Sequence, residues 1–250
     1  MAIRFLTALP VYNEARHVPQ VLDEVLRYSS EVLVVDDGST DGTSELFAKR
    51  HDVHVVRHPK NRGYGAALRS AFNFALYEDY DVLVTIDCDG QHQPRMIPEF
   101  VAACAGVDIV SGSRYLQQFA GDSQPPEARR KINEQITAEI NCRLGLKLTD
   151  TFCGFKAYSV SSLAKLRITE PGYAMPLELW VQAAHRDFKI VELPVPLIYL
   201  EEARSFGGSL DNADTRLQHY RDVIDRSVAA LHGEVPAQFR KRTPCAGAAP

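Results

Sequence analysis

The stretch Val82-Leu83-Val84-Thr85-Ile86-Asp87-Cys88-Asp89-Gly90-Gln91-His92 decides the reading of this chain. Its first five residues are apolar or β-branched and suit a buried strand, and the turn that follows carries two carboxylates two residues apart. At the carboxyl end of a strand in an α/β sheet, such side chains project into the ligand crevice. Two hard oxygen donors there, with a glycine that lets the backbone turn, suit a divalent cation shared with substrate phosphates. The same acids on an isolated turn would make only a solvated bend, so the rest of the chain has to decide.

Short β-rich runs recur on both sides, over residues 3–9, 32–35, 53–56 and 108–111, and helical periodicity fills the intervals. Helices are expected over about 17–28, 42–50, 65–78 and 94–105, with Thr40 or Asp41 capping the second and Pro94 opening the fourth. The alternation predicts βαβ units and a mostly parallel, Rossmann-like sheet of the α/β class. After Ser113 comes a polar segment, 117–130, containing Pro125-Pro126, whose length suits a closing loop. A helix over 128–144, a strand over 155–159 and a helix over 175–185 follow. Residues 189–199 read as an extended segment broken by Pro194 and Pro196, as at a sheet edge. A last helix over 214–231 places Leu217, Tyr220, Ile224, Val228 and Leu231 on one face. The Pro, Ala and Gly content from 233 onward predicts a frayed tail.

With 250 residues and 45% hydrophobic composition, the chain can bury one large core. We expect a single domain over 1–231, divided into halves at 114/115, and a tail at 232–250. A net charge of −4 offers no global attraction to nucleic acid or an anionic membrane, so any polyanion has to be met locally. Five cysteines without paired metal-like spacing suit free thiols and a cytoplasmic setting. The apolar opening is too short for a secretion signal and reads as a first strand, and no run of about 18 apolar residues suggests a membrane span.

Two further acidic turns follow strands: Pro10-Val11-Tyr12-Asn13-Glu14 and Asp36-Asp37-Gly38-Ser39-Thr40-Asp41. Together with Asp87 to His92 they should converge on one crevice. With Asn61-Arg62-Gly63-Tyr64-Gly65, Gly112-Ser113-Arg114 and Cys153-Gly154-Phe155-Lys156, the six motifs in order resemble family 2 glycosyltransferases with the GT-A fold, in the polyprenyl-phosphate (dolichol-phosphate) mannose synthase branch. The resemblance covers about residues 3–220. It implies a nucleotide-sugar-binding half at 1–114 and acceptor-side helices at 115–231.

By that resemblance, Pro10, Tyr12, Glu14 and Asp37 hold the nucleoside, with Asp36 left to a structural turn. Asp87, Asp89 and Gln91 hold Mg²⁺ or Mn²⁺ against the donor diphosphate. Arg62 and Gly63 shape the donor pocket, although Asn61 to Gly65 reads equally well as a phosphate loop or as a plain helix-entry turn. Arg114 can reach phosphate oxygens by a planar fork, and Arg129 and Asn133, one helical turn apart, suit an acceptor phosphate. Arg204 matches a late arginine that folds over the diphosphate, in a loop whose usual Ser-Lys ending is here Ser209-Leu210. Asp150 is read either as an acceptor-side residue or as a helix cap.

The implied activity is an inverting, metal-dependent transfer of a hexose, mannose from GDP-mannose, to a polyprenyl phosphate. The alternatives are UDP-glucose or another donor, a soluble hydroxyl acceptor, a sugar-phosphate nucleotidylyltransferase, or a non-catalytic nucleotide-sugar binder. The glycine-free loop after strand one speaks against the nucleotidylyltransferase, and the presence of both Asp87 and Asp89 against the non-catalytic binder. A Q-x-x-R-W motif of processive synthases is absent. Membrane contact is expected to be peripheral, on the cytoplasmic face, directly or through a partner subunit, with the basic run Phe239 to Arg242 as a candidate contact. His51, His54 and His58 are expected at the surface or in turns, Cys88 and Cys153 as buried fillers, and Trp180 in the core with Glu178 toward the acceptor.

Overall fold

The computed structural model describes residues 3–48, 50–200 and 208–231. Arg204 and the basic run in the tail therefore lie outside the described residues. Seven strands form one sheet in the order β3-β2-β1-β4-β6-β5-β7. They are β1 (Phe5–Val11), β2 (Val32–Asp36), β3 (His54–Arg57), β4 (Val82–Thr85), β5 (Ile109–Ser113), β6 (Lys156–Ser159) and β7 (Ile190–Pro194). The helices are α1 (Val18–Val25), α2 (Thr43–Phe47), α3 (Tyr64–Tyr77), α4 (Ile97–Ala103), α5 (Glu127–Leu144), α6 (Val160–Leu163), α7 (Met175–His185) and α8 (Ala213–Ala230).

Helices cover both faces of the sheet, so successive strand residues enter two different cores. Leu6 and Ala8 of β1 and Leu33 and Val35 of β2 meet α3, α7 and α8 on one side. Leu9 and Val11 of β1 and Val32 and Val34 of β2 meet α1 and α4 on the other. This is why β2 reads as an unbroken apolar run and is buried along its whole length.

The local signals act as expected at some ends. Pro94 opens a single 3₁₀ turn that runs into α4; at α2 the cap position is Gly42, at φ +94°, and not Thr40 or Asp41, although Asp41 Oδ1 accepts from the Thr43 amide at 3.0 Å. The edge position of β7 accommodates Pro194, which lacks a ladder donor.

The sheet is mostly parallel, as expected, with one reversed strand, whereas the expectation of free thiols fails at one position. Strand β6 runs antiparallel to both neighbours, β4 and β5. Alternation of apolar residues reports which face a side chain occupies and is silent on strand direction. Among the thiols, Cys88, Cys104 and Cys153 are free and buried, but Cys142, on the solvent side of α5, is disulfide-bonded.

Candidate active site

The carboxyl ends of β1, β2, β4 and β5 open onto a cleft of about 740 Å³. That is ample for a nucleotide-sized ligand. The antiparallel run of β6 brings the residues just before it to the same edge of the sheet. Pro10, Tyr12, Glu14, Asp37, Gly63, Asp87, Asp89, Gln91, Arg114, Arg129 and Asn133 all line the cleft. Asp150 is fully buried behind the wall, and the exposed Arg62 side chain does not line the cleft.

The first two loops are tied to each other. Asn13 amide donates to Ser39 Oγ at 2.9 Å, Thr40 amide to Asn13 Oδ1 at 2.8 Å, and Glu14 amide to Thr43 Oγ1 at 3.0 Å. Asp36 serves structure, accepting from the Ser39 amide and the Ser44 hydroxyl. Asp37 does more of the same than the sequence suggests. Its carboxylate is 2% exposed and accepts from His58 Nδ1 at 2.5 Å, from the Arg62 amide at 3.0 and 3.1 Å and from the Gly63 amide at 2.7 Å. It anchors the 61–65 loop from beneath.

His58 is accordingly no surface residue. It is buried between Asp37 and Ser70 Oγ, the latter at 2.9 Å from Nε2. The sequence hides this because the partners lie 21 and 12 residues away.

The same bonds settle the 61–65 loop as a helix-entry turn. The Arg62 and Gly63 amides are spent on Asp37, and the Ala66 amide donates to Pro171 O at 3.1 Å. These donors are not available to cradle a phosphate. Gly63 has φ of +100°, and a side chain there would run into the Pro171 carbonyl, so glycine is required by conformation and by close approach. Arg62 thus contributes its main chain to the site, not its guanidinium.

Asp87 and Asp89 form the acidic floor. Tyr64 OH donates to Asp87 Oδ1 at 3.1 Å, and His92 Nε2 lies 3.4 Å from Oδ2. Burial opposes ionisation of Asp87, but the His92 and Tyr64 contacts and the nearby Lys156 charge hold it below the usual carboxylate range. Burial and the charge of Asp87 push Asp89 the other way. Two carboxylates that repel each other in a partly buried site, with the Gln91 side chain alongside in the cleft wall, offer a hard oxygen set that fits a divalent cation. No cluster of three His, Cys, Asp or Glu side chains able to enclose a metal occurs among the described residues. Such a cation would therefore be completed by ligand oxygens. His92, unassigned from sequence, stacks tilted on Phe155 at 5.6 Å, and its Nδ1 is buried without a partner.

A second part of the lining is basic, with Arg114, Arg129 and Arg216. Arg114 forks onto Asp150, Nε to Oδ2 at 2.6 Å and Nη2 to Oδ1 at 2.9 Å, which leaves Nη1 outside the fork. Asp150 also accepts from Asn133 Nδ2 at 2.9 Å and the Phe152 amide at 3.1 Å. Burial would raise the Asp150 carboxyl, but Arg114 and these donors bring it down to about 2. Burial likewise disfavours the Arg114 charge, and Asp150 more than compensates. Asp150 caps no helix: its carboxylate holds Arg114 in place. Asn133 is 6% exposed and gives its amide to Asp150 and its carbonyl to Thr137, so it too steadies the pair. Glu192 Oε1 and Oε2 in turn hold the Thr149 and Asp150 amides.

Arg129 reaches the cleft one helical turn before Asn133, with its guanidinium 5.6 Å from the Tyr199 ring. Arg216 of α8, which sequence reasoning missed, is 4% exposed and lines the cleft with Nη1 on Leu210 O at 2.7 Å. The expected closing loop is tied to the segment after β7: the Ser123 amide donates to Leu197 O at 2.7 Å, and the Tyr199 amide to Ser123 Oγ at 3.1 Å.

Glu178 does not face the acceptor. Its carboxylate accepts from the Thr169 and Glu170 amides at 2.8 and 2.7 Å and from Thr169 Oγ1 at 2.9 Å, holding the loop before α7. Trp180 is in the core, donating to Thr151 O at 3.0 Å.

Residues 7–167 match the glycosyl transferase family 2 model. The undecaprenyl-phosphate mannosyltransferase of Micrococcus luteus is 33% identical, with 84% of this chain and 91% of that protein aligned. The polyprenol monophosphomannose synthase of Mycolicibacterium smegmatis is also 33% identical, over 77% of this chain and 76% of that protein. Among solved structures, glucosyl-3-phosphoglycerate synthase from Mycobacterium tuberculosis, in complex with Mn²⁺, UDP and glucosyl-3-phosphoglycerate, superposes with a TM-score of 0.70. The identity is 20%, covering 91% of this chain and 81% of that one. The fold is the GT-A fold, and the chain belongs to glycosyl transferase family 2.

Proposed function

We propose that this family 2 glycosyltransferase moves a hexose, mannose from GDP-mannose, to the phosphate of a polyprenyl phosphate, with inversion at the anomeric carbon. The observation that carries the acceptor assignment is the commitment of Asp150. Arg114, Arg129 and Arg216 line the acceptor side, while the described acids lining the cleft, Glu14, Asp37, Asp87 and Asp89, all belong to the donor side. A hydroxyl acceptor needs a base to take its proton. A phosphate monoester, with a second pKa near 6, is already largely dianionic at neutral pH and needs cations to place it. The mannose and polyprenyl assignments are supported by the two relatives at 33% identity.

In this reading, residues 1–114 bind the donor and 115–231 the acceptor. Pro10, Tyr12 and Glu14 receive the nucleoside, and Asp37, with Gly63, shapes the pocket wall. Asp87, Asp89 and Gln91 would hold Mg²⁺ or Mn²⁺, which offsets negative charge building on the departing diphosphate. Arg114 Nη1 and Arg129 orient an acceptor phosphate oxygen toward the anomeric carbon, opposite the diphosphate. The new carbon–oxygen bond forms as the bond to the diphosphate breaks, and no proton has to move. Arg204 is assigned to the diphosphate on the resemblance alone.

No helix among the described residues is long and apolar enough to cross a membrane. A lipid acceptor would then be met at the bilayer surface, on the cytoplasmic face, by this chain or a partner subunit. The test is release of nucleoside diphosphate from a panel of GDP- and UDP-sugars with Mg²⁺ or Mn²⁺, with and without a short-chain polyprenyl phosphate. Lipid-dependent turnover of GDP-mannose is expected. Turnover with a soluble hydroxyl acceptor, or with a UDP-sugar alone, would overturn the corresponding part of the reading.

A further inference from the structure

We infer that Gly154 is a positioning residue of the cation site: the place its side chain would fill is where the Asp87 carboxylate sits. This rests on the metal reading above and extends it to a residue with no side-chain donor to offer the ion. A Cβ built on Gly154 would come within 2.6 Å of Asp87 Oδ1 and 2.5 Å of Cγ, and closer still to Oδ2. The residue has no positive φ that would account for glycine by conformation. Space for the carboxylate is the reason that remains on this side of the strand.

The peptide beneath the carboxylate is held rigidly. Thr85 Oγ1 donates to Gly154 O at 2.9 Å, the buried Lys156 ammonium donates to Cys153 O, and the Gly112 amide donates to Phe155 O at 2.8 Å. Tyr64 OH and His92 Nε2 approach Asp87 from other directions. Asp87 is therefore bounded by a fixed backbone on one side and by two polar side chains elsewhere. Its orientation is set before any ligand arrives, which is what a preorganised oxygen donor requires.

An alanine at 154 meets the far end of a side chain, so the fold can accept it by turning Asp87 away. The experiment measures Mn²⁺ affinity by the electron paramagnetic resonance of free Mn²⁺, in the presence of GDP, for wild type, Gly154→Ala, Asp87→Ala and the double variant. Gly154→Ala is expected to bind Mn²⁺ at least tenfold more weakly, and the double variant no more weakly than Asp87→Ala. Undiminished affinity in Gly154→Ala, or losses that add in the double variant, would overturn the inference. If Gly154→Ala does not fold, as judged by its melting transition, Thr85→Val decides. Loss of the hydroxyl that fixes the Gly154 carbonyl should weaken Mn²⁺ two- to fivefold, and wild-type affinity there sinks the idea. Failure of the wild type itself to bind Mn²⁺ with GDP overturns the metal reading and this inference with it.

Discussion

The two walls of the cleft solve opposite electrostatic problems. On the wall proposed for the donor, Asp87 and Asp89 sit together and their ionisation is pushed in opposite directions. On the wall proposed for the acceptor, the buried Asp150 is matched to Arg114 by a two-bond fork and held ionised down to about pH 2. The donor wall is an unbalanced negative site that a cation completes. The acceptor wall has settled its own carboxylate and presents arginine toward the cleft. An anion therefore gains most on the second wall, and a metal-bound anion on the first.

The largest effect should come from removing the imbalance. Asp89→Asn is expected to lower turnover by at least a thousandfold, while the cation-free protein melts higher than wild type at neutral pH because a repelled charge has gone. A lower melting point together with retained turnover would erase the contrast between the walls.

Breaking the acceptor wall should instead cost both fold and function. Arg114→Ala leaves Asp150 buried and unpaired, a loss of about 3–5 kcal/mol in denaturant unfolding. The pH dependence has a definite sign. Asp150 falls from an ordinary 3.8 to about 2 on folding, so its stabilisation is complete above pH 3.8 and is lost as the pH drops through 2. The melting gap between wild type and Asp150→Asn should thus be flat from pH 8 to 5 and shrink below about 4. A gap that grows on acidification would contradict the pairing.

Arg129→Ala sharpens the comparison at lower cost. Loss of one charge-assisted contact, about 1.5–3 kcal/mol, corresponds to a rise of roughly 10- to 100-fold in the acceptor KM, with GDP-mannose binding unchanged. Equal damage to donor and acceptor kinetics would show that the walls are not separate. The smallest effect is expected at His58→Ala, where releasing Asp37 should cost about 1–3 kcal/mol of stability and weaken nucleotide binding a few-fold, leaving the acceptor KM alone.

Much of this was legible in the sequence because the chemistry lies where strands end. The run from Val82 to His92 announces both a buried strand and its ligand loop, and the six motifs fall in the order in which the fold uses them. What stayed hidden was the commitment of individual groups. Asp37 looks like a ligand acid until His58, Arg62 and Gly63, 21 to 26 residues on, are seen to consume it. Asp150 looks like a helix cap or a group free to meet the acceptor until Arg114 and Asn133 claim its oxygens. Arg216 carries no local signal, since its place in the cleft depends on how α8 packs on α7 and α5. Residue type and spacing announce capacity for a bond, whereas tertiary contact decides where it is spent.

The reversed direction of β6 has a consequence for how such an enzyme can be altered. The chain leaves the cleft at the end of β5 and comes back to it at the start of β6, so everything between Ser113 and Lys156 is an excursion that begins and ends at the same rim. That excursion carries Arg114, Arg129, Asn133 and Asp150 between two sheet strands, and its helix α5 also sends Ile132, Ile136 and Ile140 into the core shared with β1 and β2, so it has to be exchanged with that packing kept. Its return seam runs through Cys153 and Gly154, where Cys153 packs on Gly112 and Gly154 on the Asp87 carboxylate, so a transplanted segment has to fit both β5 and the β4 loop atom by atom.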